Sequence, residues 1–320
     1  MKEIGGYFEL ELADRGIFHD GALRLNTGRN AYAYILLANK FESVYLPFYT
    51  CEVMIATTKA LGVDIKFYNI DSQFKPLFDF YKIKDDEAFV YTNYFGLLDD
   101  YVLEISRNCK NLIIDNAQAL YANPIQGVNS FNSARKFLGV PDGAYLYTNM
   151  RNYQNLEQDV SYSRFEHLLC RHELGANKSY LAYQENEHGL ANTTIKLMSQ
   201  LTSKILNSVN HEAVANTRRQ NYMYLNSQLK QYNNIDIELI GSGVPLVYPF
   251  WIENGKDLRE YLIVNKVFTA VYWKGVRDYT CELNGFENSF SEHAVFLPID
   301  QRYNSNDMDV ILNLIRNYGV

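Results

Sequence analysis

One lysine of this chain, Lys136, has neighbours that are unusual for a basic side chain. It lies in the segment SFNSARKFLGVPDG (130–143), where two large apolar residues follow it and a Pro-Asp-Gly turn comes shortly afterwards. Most lysines of folded proteins lie on solvated surfaces. An amine held among apolar groups loses its proton more readily than one in water, and the neutral amine can then act as a nucleophile or a base. Alone, Lys136 is a weak indication, because the chain contains 30 lysines and arginines.

A carboxylate precedes this lysine at the end of an apolar run. In IIDNAQAL (113–120), Asp115 ends the run and Gln118 follows three residues later. A carboxylate at the end of a buried strand is costly unless it meets a cation or a strong hydrogen-bond donor. The alternative interpretation is a helix N-cap, a position that aspartate often occupies.

The third segment that could do chemistry is LNTGRNAYAYILLANK (25–40), in which a Thr-Gly turn leads into a helix-like run. The free N–H groups and the dipole at a helix start favour a phosphate. A turn that only begins the helix is equally compatible with this pattern. The sequence has neither G-x-G-x-x-G nor G-x-x-x-x-G-K-[ST], so a dinucleotide site and a P-loop are not indicated.

Taken together, the three segments indicate pyridoxal phosphate. This cofactor needs N–H donors for its phosphate, an anion for its pyridine nitrogen and an amine for its aldehyde. The helix start near Gly28, the carboxylate of Asp115 and the amine of Lys136 would supply these groups in that order.

The elements around these residues alternate between two types. Strand-like runs occur at 43–48, 64–71, 88–96, 111–115 and 144–149, with helix-like runs at 51–61 and 101–110 between them. This alternation predicts a mostly parallel sheet with helices on both faces. Ligands of such sheets bind at the carboxyl ends of the strands, where Asp115 is expected to lie.

The second half of the chain has a different pattern. Residues 151–205 are polar and helical in pieces. Beyond them the sequence predicts strands at 246–254, 268–273 and 293–299 and helices at 211–232, 257–266 and 307–318. We therefore expect a larger domain at 1–205 and a smaller α+β domain at 206–320.

The composition narrows the classes of partner. The formal net charge is −7, so there is no basic excess to neutralise phosphates, and a nucleic-acid partner is not expected. No run reaches the roughly 18 apolar residues of a membrane helix, and the amino terminus lacks the apolar core of a secretion signal. These features predict a cytoplasmic protein with no membrane partner. The four cysteines and six histidines show no ligand spacing, so no metal site is expected.

Several segments resemble, in order, the motifs of the DegT/DnrJ/EryC1/StrS family, the sugar aminotransferases of fold type I. In the first half these segments are TGRNAY (27–32), PFYT (47–50), DNAQA (115–119) and SFNSARKFLGVPDGAYLY (130–147). In the second half they are RRQNYMYL (218–225), FTAVYWKG (268–275) and VFLPID (295–300). The likeness covers most of the chain, and its specific part is DNAQA followed by the lysine segment. It implies a mostly parallel seven-stranded sheet flanked by helices in the large domain.

The resemblance also implies roles for individual residues. Lys136 would bind the cofactor covalently and then move the proton between substrate and cofactor. Asp115 would pair with the pyridine nitrogen, and Gln118 would lie near the phenolic oxygen. The remaining cofactor contacts would come from the backbone N–H groups of Gly28, Arg29 and Asn30, from the hydroxyl of Ser133 or Ser130, and from the ring of Tyr49 or Tyr94. The sequence departs from the family at Arg29, where a small Thr or Ser is usual, and at Cys51, where an aromatic ring is usual.

The activity implied by the resemblance is transfer of an amino group from an amino acid, glutamate, to a nucleotide-linked keto sugar. The resemblance places this activity in surface polysaccharide or deoxyamino sugar biosynthesis. The family also implies a homodimer with shared active sites, in which residues of 151–205 such as Asn186 or Arg171 reach the partner. Two alternatives remain open. A sugar dehydratase of this family carries histidine where Lys136 stands, and the departures at Arg29 and Cys51 leave room for a non-catalytic or regulatory homologue.

Overall fold

A single sheet of seven strands forms the centre of the molecule in a computed structural model that describes residues 4–150, 155–276 and 285–320. The strands are β1 (Leu23–Leu25), β2 (Ser43–Pro47), β3 (Asp64–Tyr68), β4 (Glu87–Thr92), β5 (Leu112–Asn116), β6 (Asn129–Asn132) and β7 (Ala144–Tyr147). Their order across the sheet is β1-β7-β6-β5-β4-β2-β3.

The middle of this sheet is parallel, as the sequence predicts. The strands β3, β2, β4, β5 and β6 pair in parallel, whereas β7 pairs antiparallel with both β6 and β1. Since parallel strands end at one edge, the ends of β4, β5 and β6 meet there. In this register Thr92 lies opposite Asp115, and Asn116 lies opposite Asn132.

Both faces of the sheet are buried. Successive side chains of a strand point to opposite faces, so alternate residues of one strand belong to different cores. In β4, Ala88 and Val90 join a core formed with the first two helices. The alternate residues Phe89 and Tyr91 join a larger, aromatic core that continues into the C-terminal half of the chain.

Ten helices are described outside the sheet. They are α1 (Gly28–Asn39), α2 (Glu52–Ala60), α3 (Asp99–Ser106), α4 (Glu166–Leu174), α5 (Tyr180–Ala191), α6 (Gln200–Ser208), α7 (His211–Leu229), α8 (Gly255–Val264), α9 (Phe286–His293) and α10 (Ser305–Tyr318). The pair α4 and α5 packs as a helical hairpin. Within the described ranges no helix is long and apolar enough to cross a bilayer.

The C-terminal half contains a second sheet of two antiparallel strands, β8 (Tyr248–Trp251) and β9 (Ala294–Leu297). Helix α7 packs against β8 and α10, and α8 packs against β9. This arrangement of a small sheet with helices agrees with the α+β pattern of the sequence. The boundary at 205 stays a prediction.

Most elements fall where the sequence places them, but one predicted strand is wrong. Residues 268–273 form no strand, and only an isolated bridge joins Ala270 to Phe296. The aromatic side chains that suggested a strand instead fill the core, where Tyr272 packs 4.8 Å from the ring of Phe296 and Trp273 lies 4.8 Å from the ring of Tyr49. The sequence also gave no indication of β1, of the polar strand β6 or of α9.

Candidate active site

Asp115 lies at the carboxyl end of β5 and is only 4% exposed. One carboxylate oxygen accepts a hydrogen bond from the Ala117 backbone N–H at 2.8 Å, which closes a turn. No helix begins there, so the N-cap interpretation does not apply. Burial raises the pKa of the Asp115 carboxyl, and the charge of Lys136 opposes this shift. The charge of Lys136 thus reaches the carboxylate. Among the described residues, its hydrogen bond comes from the Ala117 N–H.

Lys136 ends a short 3-10 turn, Ala134–Lys136, in the connection between β6 and β7. The turn is closed by hydrogen bonds from Ala134 N–H to Gly143 O at 3.0 Å and from Phe137 N–H to Ala134 O at 3.0 Å. The two apolar residues after the lysine, Phe137 and Leu138, are buried in the aromatic core. Their burial anchors the turn and leaves the Lys136 side chain half-buried at the edge of the sheet where Asp115 lies.

Gln118 follows Asp115 by three residues and is fully buried. Its Oε1 accepts a hydrogen bond from the Phe95 N–H at 3.1 Å. Its Nε2 is buried with no hydrogen-bond partner in the described part of the chain. Leaving a buried N–H group unpaired costs about 1–3 kcal/mol, so an acceptor that approaches this amide would be favoured. The phenolic oxygen of pyridoxal phosphate is such an acceptor, and this observation fits the cofactor.

The start of α1 lies next to the lysine turn. A methyl group built on Gly28 would lie 3.4 Å from the carbonyl oxygen of Asn132 and 3.6 Å from the Cβ of Ser133. Gly28 and Arg29 occupy the first turn of α1, where backbone N–H groups have no partner within the helix. The structure therefore brings the predicted phosphate contacts Gly28, Arg29 and Ser133 to one place.

Asn30 is engaged differently from its neighbours. Its backbone N–H donates to the Thr27 hydroxyl at 3.1 Å, which caps α1. Its side-chain amide donates to Asn26 Oδ1 at 2.9 Å and to the Thr194 carbonyl at 2.8 Å. Both groups of Asn30 thus hold the start of the helix, and its direct contact with a phosphate stays a prediction.

Two arginines lie close to the start of α1. Burial and the charge of Arg135 lower the pKa of Arg29, whose guanidinium donates to the Leu190 carbonyl at 2.8 Å. Arg135 forms an ion pair with Glu187 at 2.5 Å. Both partners belong to α5, which therefore lies over this part of the site. Two guanidinium groups near a helix start favour an anion there.

Helix α5 makes a further contact with the lysine segment of its own chain, since the Asn186 amide donates to the Pro141 carbonyl at 3.2 Å. Arg171, on α4, is exposed. The expected contribution of these residues to a partner's site stays a prediction.

The two tyrosines predicted to stack on the cofactor ring are neighbours. Tyr49 is fully buried and its hydroxyl donates to the Tyr272 carbonyl at 2.8 Å, while the Tyr94 hydroxyl donates to the Tyr49 carbonyl at 2.9 Å. Burial raises the pKa of Tyr94 and the Asp115 charge adds to this shift. Of the two, Tyr94 is thus the one shown within electrostatic range of Asp115. Cys51 is the N-cap residue of α2 and is half-buried.

Sequence reasoning missed two residues that contact the lysine segment from the C-terminal half. Arg218 and Gln301 both donate to the carbonyl of Phe137, the residue after Lys136. The RRQNYMYL segment (218–225) in the middle of α7 indicated the first, but no local pattern distinguishes the second. Among the described residues, no group of three or more His, Cys, Asp or Glu side chains could hold a metal ion.

The fold is shared with solved structures of low sequence identity. DesV of S. venezuelae, solved in complex with a ketimine intermediate, is 15% identical, with 93% of this chain and 84% of that chain covered and a TM-score of 0.67. A DegT DnrJ EryC1 StrS aminotransferase from Brucella abortus is 14% identical, with coverage of 95% and 87% and a TM-score of 0.61. The E. coli GDP-4-keto-6-deoxy-D-mannose-3-dehydratase with bound hydrated PLP is 15% identical, with coverage of 92% and 87% and a TM-score of 0.61.

No protein-family model matches the chain, and a search of curated proteins found no significant match. Identities this low establish the shared fold, which agrees with the fold type I architecture expected from the sequence. What the site does must be argued from its own residues.

Proposed function

We propose that this protein is a pyridoxal phosphate-dependent aminotransferase that acts on a keto sugar, as members of the DegT/DnrJ/EryC1/StrS family do. The observation that carries the proposal is that the charge of Lys136 acts on the buried carboxyl of Asp115 at the end of β5, while Gln118, three residues later, has a buried amide nitrogen with no partner among the described residues. The same edge of the sheet holds the start of α1. An amine, an anion, a donor for an oxygen and an anion-binding helix start are the groups that the cofactor requires.

When bound, pyridoxal phosphate supplies an aldehyde that reacts with amines and a ring that accepts electrons. The protein's own residues do the rest. The phosphate would be held by the N–H groups of Gly28 and Arg29 and the hydroxyl of Ser133. The Nζ of Lys136 would hold the cofactor at its aldehyde, and its neutral amine would act on the substrate α-proton as a general base and acid.

Asp115 would hold a proton on the pyridine nitrogen. Its burial disfavours a free carboxylate, whereas a cationic ring beside it favours the ionised form. The unpaired amide of Gln118 would donate to the phenolic oxygen and so fix the rotation of the ring. Proton transfer by a positioned side chain contributes about 10²–10⁴-fold in rate, so removal of Lys136 is expected to lower turnover by at least that much.

For the substrates we infer glutamate as amino donor and a nucleotide-linked keto sugar as acceptor, in surface polysaccharide or deoxyamino sugar biosynthesis. The shared fold supports this class, because the similar structures include a sugar aminotransferase, CalS13 from Micromonospora echinospora. We infer further a cytoplasmic homodimer in which the two chains share active sites.

Sugar dehydration is the second candidate, since a dehydratase has the same fold. The lysine at position 136 favours amino transfer over dehydration, because the resemblance places histidine there in dehydratases. A non-catalytic homologue is less well supported, since the charge of Lys136 acts on Asp115 and Gln118 keeps a buried amide nitrogen with no partner among the described residues.

The test is an absorption spectrum of the purified protein with pyridoxal phosphate, followed by borohydride reduction and peptide mapping. We expect the visible band to disappear on reduction and the label to map to Lys136. The Lys136→Ala variant should take up no label. Lys110→Ala is the control, because Lys110 pairs with Asp85 at the surface at 2.7 Å. A label on another lysine, or none, would overturn the proposal.

A further inference from the structure

Arg218 of α7 is a buried cation whose partners lie in three separate segments. The residue is 2% exposed. Its Nε donates to Gln301 Oε1 at 3.0 Å, and one terminal nitrogen donates to the Leu246 carbonyl at 3.0 Å and the Pro245 carbonyl at 3.3 Å. The other terminal nitrogen donates to the Phe137 carbonyl at 3.2 Å.

The carbonyl of Phe137 is held from two sides. Besides the bond from Arg218, it accepts a hydrogen bond from the Gln301 side-chain amide at 2.8 Å. The guanidinium also lies over the Phe137 ring, 4.6 Å from its centroid. Because Arg218 and Gln301 bond to each other as well, the three groups form a closed set around the residue that directly follows Lys136.

Water does not stabilise the positive charge of Arg218, because the side chain is buried. Burial lowers the pKa of Arg218 to about 10, and the charge of Asp300 opposes this shift. The side chain therefore remains charged at neutral pH. Within the described residues, Asp300 forms an ion pair with Arg302 at 2.7 Å and no hydrogen bond with Arg218. The hydrogen bonds of Arg218 go to uncharged oxygens of a side-chain amide and of backbone carbonyls. Burying a charge with neutral partners carries a cost of several kcal/mol that an apolar side chain would avoid.

We propose that Arg218 and Gln301 are positioning residues for Lys136, which they orient by fixing the ring and the carbonyl of Phe137. This inference rests on the proposed function, because it assigns to Lys136 the reacting amine. A reacting group must be held within about 0.5 Å of its productive position. The 3-10 turn at Ala134–Lys136 is short, and the Phe137 carbonyl directly after it is held by side chains from outside the turn.

Arg218 and Gln301, which together hold Phe137 and are called the clamp below, also link the two halves of the chain. Arg218 comes from α7 and Gln301 from the segment after β9, whereas Phe137 follows β6 of the central sheet. A movement of the C-terminal half relative to the sheet would act directly on the lysine turn. We therefore expect the position of that half to affect the direction of the Lys136 side chain.

The chain offers a matched control in the next residue. Arg219 also lies on α7 and also donates to backbone carbonyls, to Gly243 at 3.0 Å and to Ser242. Among the described residues, Arg219 forms no hydrogen bond with the lysine segment. Arg219→Met therefore removes an arginine and its carbonyl bonds without touching Phe137.

The experiment compares Arg218→Met, Gln301→Leu and Arg219→Met with the parent protein. Hydrogen exchange of the peptide containing 134–138 and competitive acetylation of Lys136 are measured without cofactor. The first two variants should exchange about tenfold faster there, because local opening becomes easier, and should change the labelling of Lys136 relative to other lysines. With cofactor, kcat should fall about tenfold or more with KM for the donor little changed, since a 1 Å misplacement costs up to about 10²-fold. Arg219→Met should behave as the parent.

Gln301→Leu keeps the test decisive if Arg218→Met does not fold, because it removes one donor and leaves the buried charge in place. Exchange and Lys136 labelling equal to those of Arg219→Met would overturn the inference. Borohydride mapping separates this failure from that of the proposed function. A cofactor on another lysine refutes the function, whereas the cofactor-free measurements still decide whether the clamp orients Lys136.

Discussion

The charge of Lys136 acts on the buried carboxyl of Asp115, although Asp115 belongs to strand β5 and Lys136 to the connection between β6 and β7. Burial raises the pKa of Asp115 and the lysine cation lowers it, with burial the larger cause. The two side chains meet because β5 and β6 are adjacent and parallel, so the segments that leave them start from the same edge. The relationship predicts opposite effects of Asp115 on catalysis and on stability.

Asp115→Asn should lose about 10²-fold or more in kcat with cofactor bound, because a neutral amide stabilises a protonated pyridine far less than a carboxylate. The same variant without cofactor should melt no lower than the parent protein, since its folded form no longer contains a carboxyl whose ionisation burial disfavours. Single-turnover kinetics and thermal unfolding measure the two quantities. Near-normal turnover would refute the assigned role, and Asp79→Asn is the control, because asparagine can still cap the short 3-10 turn that the exposed Asp79 caps.

Gly28 should tolerate alanine but not valine. A single methyl group would lie at ordinary contact distance from Asn132 and Ser133, whereas two more carbons would fill the space beside Ser133. We expect Gly28→Val to weaken pyridoxal phosphate binding by about tenfold or more, because the first-turn N–H groups become shielded from the phosphate. Titration of the cofactor-free protein, with inorganic phosphate as competitor, measures this. Equal affinity in Gly28→Val and Gly28→Ala would contradict the assigned phosphate site.

His19 predicts a pH dependence of stability. Its Nδ1 is 2.8 Å from the Tyr147 hydroxyl and its Nε2 is 2.6 Å from the Leu120 carbonyl. Burial lowers its pKa from 6.5 to about 4, and the nearby His211 adds to this shift. The unfolded chain therefore binds more protons between these values, so the folded state is fully favoured above pH 6.5 and loses stability as the pH falls towards 4.

The loss attributable to His19 should be about 3 kcal/mol, since each unit of pKa difference corresponds to about 1.4 kcal/mol. Urea unfolding at several pH values, compared between the parent and His19→Gln, measures it. The difference between the two proteins should shrink on acidification. A constant difference from pH 7 to about pH 4 would show that His19 does not titrate as its burial requires.

The helical hairpin α4–α5 predicts self-association. Leu169 and Leu181 are 64% and 71% exposed on these helices, and exposed apolar groups of this kind mark interaction surfaces. Light scattering at micromolar concentration should show a dimer, and Leu169→Glu with Leu181→Glu should shift it towards monomer. Leu77→Glu is the control, because Leu77 is 63% exposed elsewhere on the molecule. A monomer that retains full transamination would refute shared active sites.

The sequence by itself determined the local features of this protein. Alternating apolar runs and helical segments are set by nearest neighbours, so they predicted the parallel strands and the position of Asp115 at a strand end. The motif from Asp115 to Lys136 carried the cofactor prediction because its chemistry needs fixed residue types in a fixed order.

Only the tertiary structure decided what depends on contacts between distant segments. The polar strand β6 exists because β5 and β7 hold it on either side, which its own residues do not indicate. Residues 268–273 have the composition of a strand, but their aromatic rings are more favourably buried in the core than aligned along a ladder. Arg218 and Gln301 contact Phe137 from 81 and 164 residues away in the sequence, and such contacts leave no local pattern. Hydrogen bonds and burial between remote residues depend on the folded arrangement, and spacing along the sequence does not encode them.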